Sequence, residues 1–330
     1  MENVSMEELE RMRRRIIELA EAEKVPVKEV ECVPGPSVSL FKVYWQDGVS
    51  PRRLSGLQEA LEFHGGSWRS HPVRVSKGMG CLEVEIPNEH QTVVPLQALL
   101  ETPEFKECEA ELPLALGVGM GMKPRVLDLV QARHILIGGA AKQGKSVCLR
   151  SMMASLRARK GPDELKFLLI DSAQTSLPEA TEALEALRTE MESRLAATAP
   201  ATAGNADAKS EAFPYIVCLI DEYADLVLMK DFDAASCKQV ARLTKALFKL
   251  TVNGPKAGIH IILATQRPTP DIVTNLIKTQ FPTRIAFRTS SRGDSERILG
   301  VPGAERLLGD GDLLLSMGTG CERIQGVLTL

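Results

Sequence analysis

The sequence lacks three features that would assign it to common classes of protein. Its seven cysteines are scattered without a C-x-x-C pair, which fits a reducing compartment rather than a disulfide framework or a zinc site. No uninterrupted apolar run approaches the ~20 residues of a membrane span. The N-terminal stretch MENVSMEELERMRRR is charged where a signal peptide needs an apolar core. We therefore expect a soluble, cytoplasmic protein with no membrane segment in this chain.

A large charge of one sign is also missing. The formal net charge is -3, which excludes a uniformly basic protein, so contact with a polyanion needs a local patch. Residues 251–300 carry seven Lys/Arg against three Asp/Glu, a local excess that suits phosphate contacts without sequence readout. A solvated surface is the simpler interpretation of such a charge run.

The two parts of the chain differ in pattern. Length and an apolar content of 44% predict about two globular domains. A capping box from Ser5 to Glu8 and apolar residues at helical spacing predict a helix over about residues 5–24, followed by alternating strands such as LEVEIP. We expect a small α+β domain over residues 1–110 and an α/β domain over residues 111–330.

The second part alternates apolar strands, glycine turns and helices. The strands are HILIGG, KFLLID, YIVCLIDE, IHIILAT and TRIAF, and this order predicts a mostly parallel sheet covered on both faces. One low-complexity piece, AATAPATAGNADAKSEA at 196–212, is predicted to be a flexible excursion.

A phosphate-binding loop is predicted between the first of these strands and its helix. Its spacing is Gly139-x4-Gly144-Lys145-Ser146, in which backbone N–H groups wrap phosphates, the lysine reaches the β- and γ-phosphates and the serine binds Mg²⁺. A glycine turn with an incidental lysine is the alternative. The predicted ATP-binding residues are Gly139, Ala140, Ala141, Lys142, Gln143, Gly144, Lys145, Ser146 and Val147.

Acidic and amide side chains follow two further strands. Asp221 and Glu222 close YIVCLIDE, where open α/β sheets bind ligands. Asp221 can hold the Mg²⁺ water shell and Glu222 can deprotonate the attacking water, although a helix cap with a solvated neighbour would look similar. Gln266 follows IHIILAT, where an amide can contact the γ-phosphate.

These three elements in this order mark an additional-strand P-loop ATPase. The strings IDEYADL and GIHIILATQRPTPDIVTNLIKTQFPTRIAF resemble the FtsK/SpoIIIE family of double-stranded DNA translocases. The resemblance implies a RecA-like ATPase core preceded by a small α+β domain. It also implies an ATP-driven homo-oligomeric ring, usually a hexamer, that moves duplex DNA.

The resemblance assigns roles to individual positions. The family's phosphate-loop lysine and serine correspond to Lys145 and Ser146, its Mg²⁺ aspartate and catalytic glutamate to Asp221 and Glu222, and its sensor glutamine to Gln266. Its DNA-contacting basic residues correspond to Arg267, Lys278 and Arg292. The fourth such position is Glu296, with Arg297 beside it as a substitute.

The sequence also departs from the family pattern. Pro255 stands in NGPKAGIH where the family has an arginine that reaches a neighbouring subunit's ATP. Because an arginine finger is worth ~10³ to 10⁵ in turnover, we expect a weak ATPase unless Lys256, Arg284 or Arg288 supplies the charge. Asp171 is followed by SAQTSL rather than proline and lysine, and we expect neither a membrane anchor nor a winged-helix DNA reader in this chain.

Two functions remain open from the sequence. The first is a DNA-translocating motor of the chromosome-segregation or DNA-transfer type. The second is a nucleotide-binding ring or assembly protein with weak or no DNA-stimulated hydrolysis, in which Pro255 marks lost catalysis.

Overall fold

Two β-sheets with their helices organise the chain. The structure is a computed structural model that describes residues 4–65, 73–198, 213–318 and 320–329. The predicted excursion at 196–212 lies outside these residues, except for 196–198, which end a helix. Within the described ranges, no helix has the length and apolar character needed to cross a bilayer.

The small sheet is antiparallel, with strand order β1-β2-β4-β3, and α1 and α2 help to cover its apolar core. The predicted helix start is present: the Ser5 hydroxyl accepts a hydrogen bond from Glu8 N–H at 3.1 Å. The Glu8 carboxylate accepts from Glu89 N–H instead of closing the capping box. The elements are α1 (Met6–Ala22), β1 (Val27–Val33), β2 (Val38–Trp45), α2 (Pro51–Gly65), β3 (Arg74–Lys77) and β4 (Leu82–Pro87).

The large sheet has nine strands in the order β6-β5-β13-β12-β11-β7-β10-β9-β8. Its strands and helices are α3 (Leu96–Leu100), α4 (Pro103–Lys106), β5 (Pro113–Gly119), β6 (Pro124–Asp128), α5 (Leu129–Ala132), β7 (Ile135–Gly138), α6 (Lys145–Arg157), β8 (Leu165–Asp171), α7 (Leu177–Thr198), β9 (Tyr215–Asp221), α8 (Tyr223–Leu228), α9 (Ala234–Asn253), β10 (Ile259–Thr265), α10 (Asn275–Gln280), β11 (Thr283–Phe287), α11 (Arg292–Leu299), β12 (Asp312–Ser316) and β13 (Cys321–Gly326).

The strand order confirms an additional-strand P-loop core. Strand β10 lies between β7, which leads into the phosphate loop, and β9, which carries Asp221. Strands β11, β7, β10, β9 and β8 are parallel, and Thr265 pairs with Gly138 at their carboxyl ends. The predicted ligand-binding residues therefore emerge at one edge of the sheet, where α/β proteins bind ligands.

The remaining strands differ from the predicted parallel arrangement. Strands β12, β13, β5 and β6 add to β11 in four consecutive antiparallel pairings. The connections from β5 to β6 and from β12 to β13 are only a few residues long, too short for the crossover that parallel neighbours need. The sheet is therefore mixed, with five parallel strands on one side.

Apolar side chains cover both faces of the parallel strands, as predicted. One face packs against α7, α8 and α9 through residues such as Leu184, Leu243 and Leu263. The other packs against α6 through Leu149, Met152 and Ile262. This two-sided burial explains why the strands are nearly continuous apolar runs.

A buried ionic cluster joins the two sheets. The Arg323 guanidinium donates to both Asp312 oxygens, at 3.0 and 2.6 Å, and also to Glu85 of the small sheet. Arg74 donates to the other Glu85 oxygen at 2.9 Å. The domain boundary at residue 110 stays a prediction; α3 and α4, which precede it, pack on β5 and Val327.

Candidate active site

The phosphate loop has a backbone that only glycine adopts easily at two positions. Gly139 and Gly144 have φ of 149° and 114°, in the region that side chains disfavour. A Cβ on Gly139 would lie 2.8 Å from the Phe287 Cβ, and one on Gly144 would lie 3.1 Å from the Phe287 ring. Phe287, at the end of β11, therefore supports the loop from beneath.

Lys145 folds back across this loop. Its ammonium donates to the carbonyl oxygens of Gly139, at 2.8 Å, and Ala140, at 2.6 Å. Burial lowers the pKa of Lys145, while the carboxylates of Glu222 and Asp221 act in the opposite direction. The lysine is thus a buried cation whose carbonyl partners can be exchanged for stronger, anionic ones.

Ser146 and Asp221 meet although they are far apart in the sequence. The Ser146 hydroxyl donates to Asp221 Oδ2 at 3.0 Å, from the first turn of α6 to the last residue of β9. Two hard oxygen donors suit Mg²⁺, which keeps several waters and takes few protein ligands. The residues at this position therefore fit the predicted metal.

Glu222 is buried and adopts an unusual backbone conformation. Its φ and ψ are 55° and 62°, in the left-handed region that is uncommon outside glycine. Its carboxylate accepts hydrogen bonds from Gln266 N–H, at 2.9 and 3.1 Å, and from the Thr265 hydroxyl, at 3.1 Å. Burial raises the pKa of Glu222, and these two donors partly oppose that shift.

A cavity of about 540 Å³ lies beside the loop, within the size range of small-molecule sites. Six predicted residues line it, among them Lys145, Ser146 and Gln266, as do the apolar side chains of Leu116 and Phe287. Distant segments complete its wall: Gln91–Val94, Asp310–Gly311 and Gln325–Leu328. The polar loop and the apolar wall together offer space for a molecule with both an anionic and a flat apolar part.

The remaining predicted loop residues hold the loop in place or border the cavity. Ala140 N–H donates to the Arg288 carbonyl at 2.8 Å, and the Ala141 carbonyl accepts from the Gln143 side chain at 3.3 Å. Lys142 is exposed with φ of 61°, and Val147 lines the cavity. Sequence and structure agree on where the loop lies.

The predicted DNA-contacting residues fall into two groups. Arg267 is exposed on the segment after β10. Lys278 is half-buried on α10, and burial together with the nearby Arg284 and Arg297 lowers its pKa. Lys278 and Arg297 therefore lie near each other, together with Arg284, whereas Arg267 directly follows Gln266.

Acidic side chains partly neutralise the basic residues of α11. Arg292 Nε lies 2.8 Å from Glu296 Oε1, one helical turn further on, and this contact raises the pKa of Arg292. Arg297 lies 3.2 Å from Asp294. The acid at the fourth predicted DNA-contact position therefore binds the arginine at the third.

The three candidate substitutes for an arginine finger lie in different settings. Pro255 and Lys256 belong to a short 3-10 helix, Gly254–Ala257, where Lys256 is exposed. Arg284 donates to the carbonyls of Phe281 and Lys278 at 3.1 and 2.7 Å, and so caps the end of α10. Arg288 is exposed beside the chain's own phosphate loop. Because Arg284 is held by two backbone carbonyls, Lys256 and Arg288 are the remaining candidates to substitute for the arginine finger.

Two polar residues of this edge were missed in the sequence. Thr265 is fully buried and bonds Glu222; its position as the last residue of an apolar strand was the available signal. Gln325 lines the cavity and bonds both Ser37 and the Asp310 carbonyl. No local pattern marks Gln325, because its two partners, Ser37 and Asp310, lie in other segments of the chain.

A family model matches this part of the chain. The FtsK/SpoIIIE family model covers residues 95–199 and 198–270, together more than half of the 330 residues. The matched region contains the phosphate loop, Asp221, Glu222 and Gln266.

Full-length relatives match over most of the chain. The DNA translocase SftA of Bacillus subtilis is 34% identical over 329 residues, covering 90% of this chain and 33% of the relative. The DNA translocase FtsK of Borreliella burgdorferi is 33% identical over 331 residues, covering 92% of this chain and 41% of the relative. The chain therefore spans about a third to two fifths of the length of these relatives.

Solved structures share the fold at low sequence identity. The pCW3 conjugation coupling protein TcpA superposes with a TM-score of 0.65 at 18% identity, covering 96% of this chain and 93% of TcpA. The type VII secretion ATPase EccC of Thermomonospora curvata gives a TM-score of 0.59 at 21% identity, covering 72% and 32% of the two chains. These likenesses concern the fold, whereas the family model and the relatives concern the sequence: the chain belongs to the FtsK/SpoIIIE family.

Proposed function

We propose that this chain is a motor that hydrolyses Mg²⁺-ATP and uses the energy to move double-stranded DNA through a homo-oligomeric ring. The observation that supports this most is the meeting of Ser146 and Asp221 at 3.0 Å beside the loop of Lys145. Family membership and relatives named DNA translocases point to the same function. Such a motor would act in the cytoplasm, on chromosomal or transferred DNA.

The loop and the cavity divide the recognition of ATP. The ammonium of Lys145 exchanges the Gly139 and Ala140 carbonyls for phosphate oxygens, and the first-turn N–H groups of α6 point at the same anion. Ser146 and Asp221 hold the Mg²⁺, which when bound neutralises charge on the phosphates. The apolar wall at Leu116 and Val327 accepts the base.

Glu222 is the proposed general base. Its carboxylate takes a proton from the attacking water, and a pKa raised by burial makes it a stronger base than an ordinary glutamate. Gln266, at the cavity wall, contacts the γ-phosphate side of the nucleotide. Both residues stand at the carboxyl end of neighbouring strands, so the fold fixes their separation.

DNA contact is assigned to four basic residues. Arg267, Lys278, Arg292 and Arg297 present charge without an evident base-reading surface, which suits backbone contacts that ignore sequence. The ion pairs of Arg292 and Arg297 weaken their share of the contact.

Steady-state ATP hydrolysis with and without linear duplex DNA tests the proposal, at low and moderate salt. We expect DNA to stimulate turnover, the stimulation to weaken as salt rises, and Glu222→Gln to abolish turnover while ATP analogues still bind. Lys256→Ala and Arg288→Ala then show which cation replaces the finger, because the effective one lowers turnover and the other does not.

A second candidate function is a nucleotide-dependent assembly protein. Pro255 favours it, because a proline cannot supply the charge of the family's arginine and Arg284 is committed to two carbonyls. ATP binding and ATP-dependent assembly without DNA-stimulated turnover would support this candidate and reject the motor.

A further inference from the structure

Thr265 makes two hydrogen bonds from the carboxyl end of β10. Its side chain is fully buried. The hydroxyl donates to Glu222 Oε1 at 3.1 Å and accepts from Arg267 N–H at 3.2 Å. One hydroxyl group thus joins the proposed general base to the segment that carries a proposed DNA-contacting arginine.

The neighbouring backbone makes the same connection. Gln266 N–H donates to both carboxylate oxygens of Glu222, at 3.1 and 2.9 Å. The last residue of β10 and the residue that follows it therefore supply every side-chain and backbone donor that the structure shows on this carboxylate. In the described part of the chain, Glu222 is not among the residues that line the nucleotide cavity.

These contacts restrain a catalytic base. A carboxylate whose two oxygens both accept hydrogen bonds from residues 265 and 266 is held in place and cannot turn toward a water in the cavity without breaking them. The left-handed backbone of Glu222, with φ of 55°, shows that the surrounding structure holds this residue in an uncommon conformation. Release of the carboxylate requires residues 265–267 to move relative to β9.

We propose that Thr265 is a positioning residue that, with the Gln266 backbone N–H, holds the Glu222 carboxylate against the end of β10 until duplex DNA bound at Arg267 shifts residues 265–267 and frees it. This inference rests on the proposed motor function. It explains at residue level how DNA binding raises hydrolysis: the Arg267 side chain is exposed to a phosphate, while its backbone N–H shares the hydroxyl that restrains the base.

Because the proposed role of Thr265 requires its hydroxyl group, two substitutions that differ in this group test it. Thr265→Val keeps the shape of the side chain but removes the donor to Glu222 and the acceptor for Arg267 N–H. Thr265→Ser keeps both. Thr265→Cys, with a weak thiol donor, takes the place of the valine variant if that protein does not fold.

We expect Thr265→Val to raise DNA-independent kcat by about tenfold, the scale of one hydrogen bond to a charged group. The ratio of DNA-stimulated to DNA-independent turnover falls toward one, and KM for ATP stays unchanged because the phosphate loop is intact. Thr265→Ser retains the stimulation ratio of the natural sequence.

Thr283→Val is the matched control. Thr283 is also a buried strand threonine, but it lies at the amino end of β11 and its hydroxyl donates to the Ala132 carbonyl. The proposal is overturned if Thr265→Val leaves the ratio unchanged, or lowers turnover equally with and without DNA. Absence of DNA stimulation in the natural sequence would instead refute the proposed function.

Discussion

The two ends of the neighbouring strands β7, β10 and β9 carry polar groups of opposite character. Beyond the carboxyl ends of β7 and β9, Lys145 and Glu222 are buried side chains of types that are usually ionised. At the amino ends, His134 and His260 are buried, and burial lowers the pKa of each, that of His134 to about 3. The same strands thus support a charged edge and a neutral edge.

The partners of these groups explain the difference. At the carboxyl edge, Lys145 bonds loop carbonyls beside a cavity, and a nucleotide can replace those contacts. At the amino edge, His134 donates from Nε2 to the Thr251 carbonyl at 3.0 Å and accepts at Nδ1 from Ile261 N–H at 3.0 Å. Exchangeable partners suit binding and catalysis, whereas fixed backbone partners suit stability.

The largest effect is expected at the charged edge, from Asp221→Asn. Loss of the carboxylate removes a hard anionic oxygen from the predicted Mg²⁺ position, and we expect apparent Mg²⁺ affinity to fall by roughly 10- to 100-fold. The measurement is a Mg²⁺ titration of the binding of a non-hydrolysable fluorescent ATP analogue. Asp231→Asn, an equal charge change on an exposed residue, should have no effect; an unchanged Mg²⁺ dependence in Asp221→Asn would contradict the assignment.

The sequence predicted the parallel half of the large sheet and missed the other half. Apolar strands alternating with helices, followed in order by a phosphate loop and an acidic strand end, indicated the core of β7, β9 and β10. Strands β5 and β13 pair although about 200 residues separate them. Strand patterns encode which face is buried but not which distant strand is the neighbour.

The same limit applies to the candidate site. The phosphate loop was predictable because its residues are contiguous and their spacing reflects a single backbone conformation. Thr265 was missed because its role depends on facing Glu222, 43 residues earlier. The i,i+4 spacing of Arg292 and Glu296 predicts their ion pair. The assignment of Arg292 to DNA contact considered its charge but not this neighbour.

Burial of the neutral His134 at the amino edge should make the free energy of unfolding depend on pH. His134 has a pKa of about 3 in the folded protein, lowered from its ordinary 6.5 chiefly by burial and further by His260 and Arg133. Between pH 6.5 and about pH 3, His134 is protonated in the unfolded chain but neutral in the folded chain. The free energy of unfolding therefore decreases as pH falls through this range. We expect a loss of about 1.4 kcal/mol per pH unit from this residue.

Urea unfolding between pH 6 and pH 4 measures this slope. His134→Asn is the comparison, because an amide can bond the same carbonyl and N–H but does not titrate. Groups distant from His134 titrate equally in both proteins, so the difference in slope reports His134 together with its interaction with His260. Equal slopes would show that His134 is protonated in the folded protein and that this edge is not neutral.

The smallest effect is expected at the ion pair between Arg292 and Glu296, in which the acid partly neutralises the arginine. Glu296→Gln frees Arg292, and we expect duplex DNA to bind about three- to tenfold more tightly at low salt, with a salt dependence steeper by up to about one ion. Fluorescence anisotropy across a salt series measures both quantities. Glu18→Gln is the comparison, since Arg15 and Glu18 form an exposed ion pair of the same kind, at 2.9 Å and one helical turn apart on α1. A gain confined to Glu296→Gln would support phosphate contact at the start of α11. Equal gains in both variants would mean that only total charge matters, and the assignment of Arg292 to DNA would then be wrong.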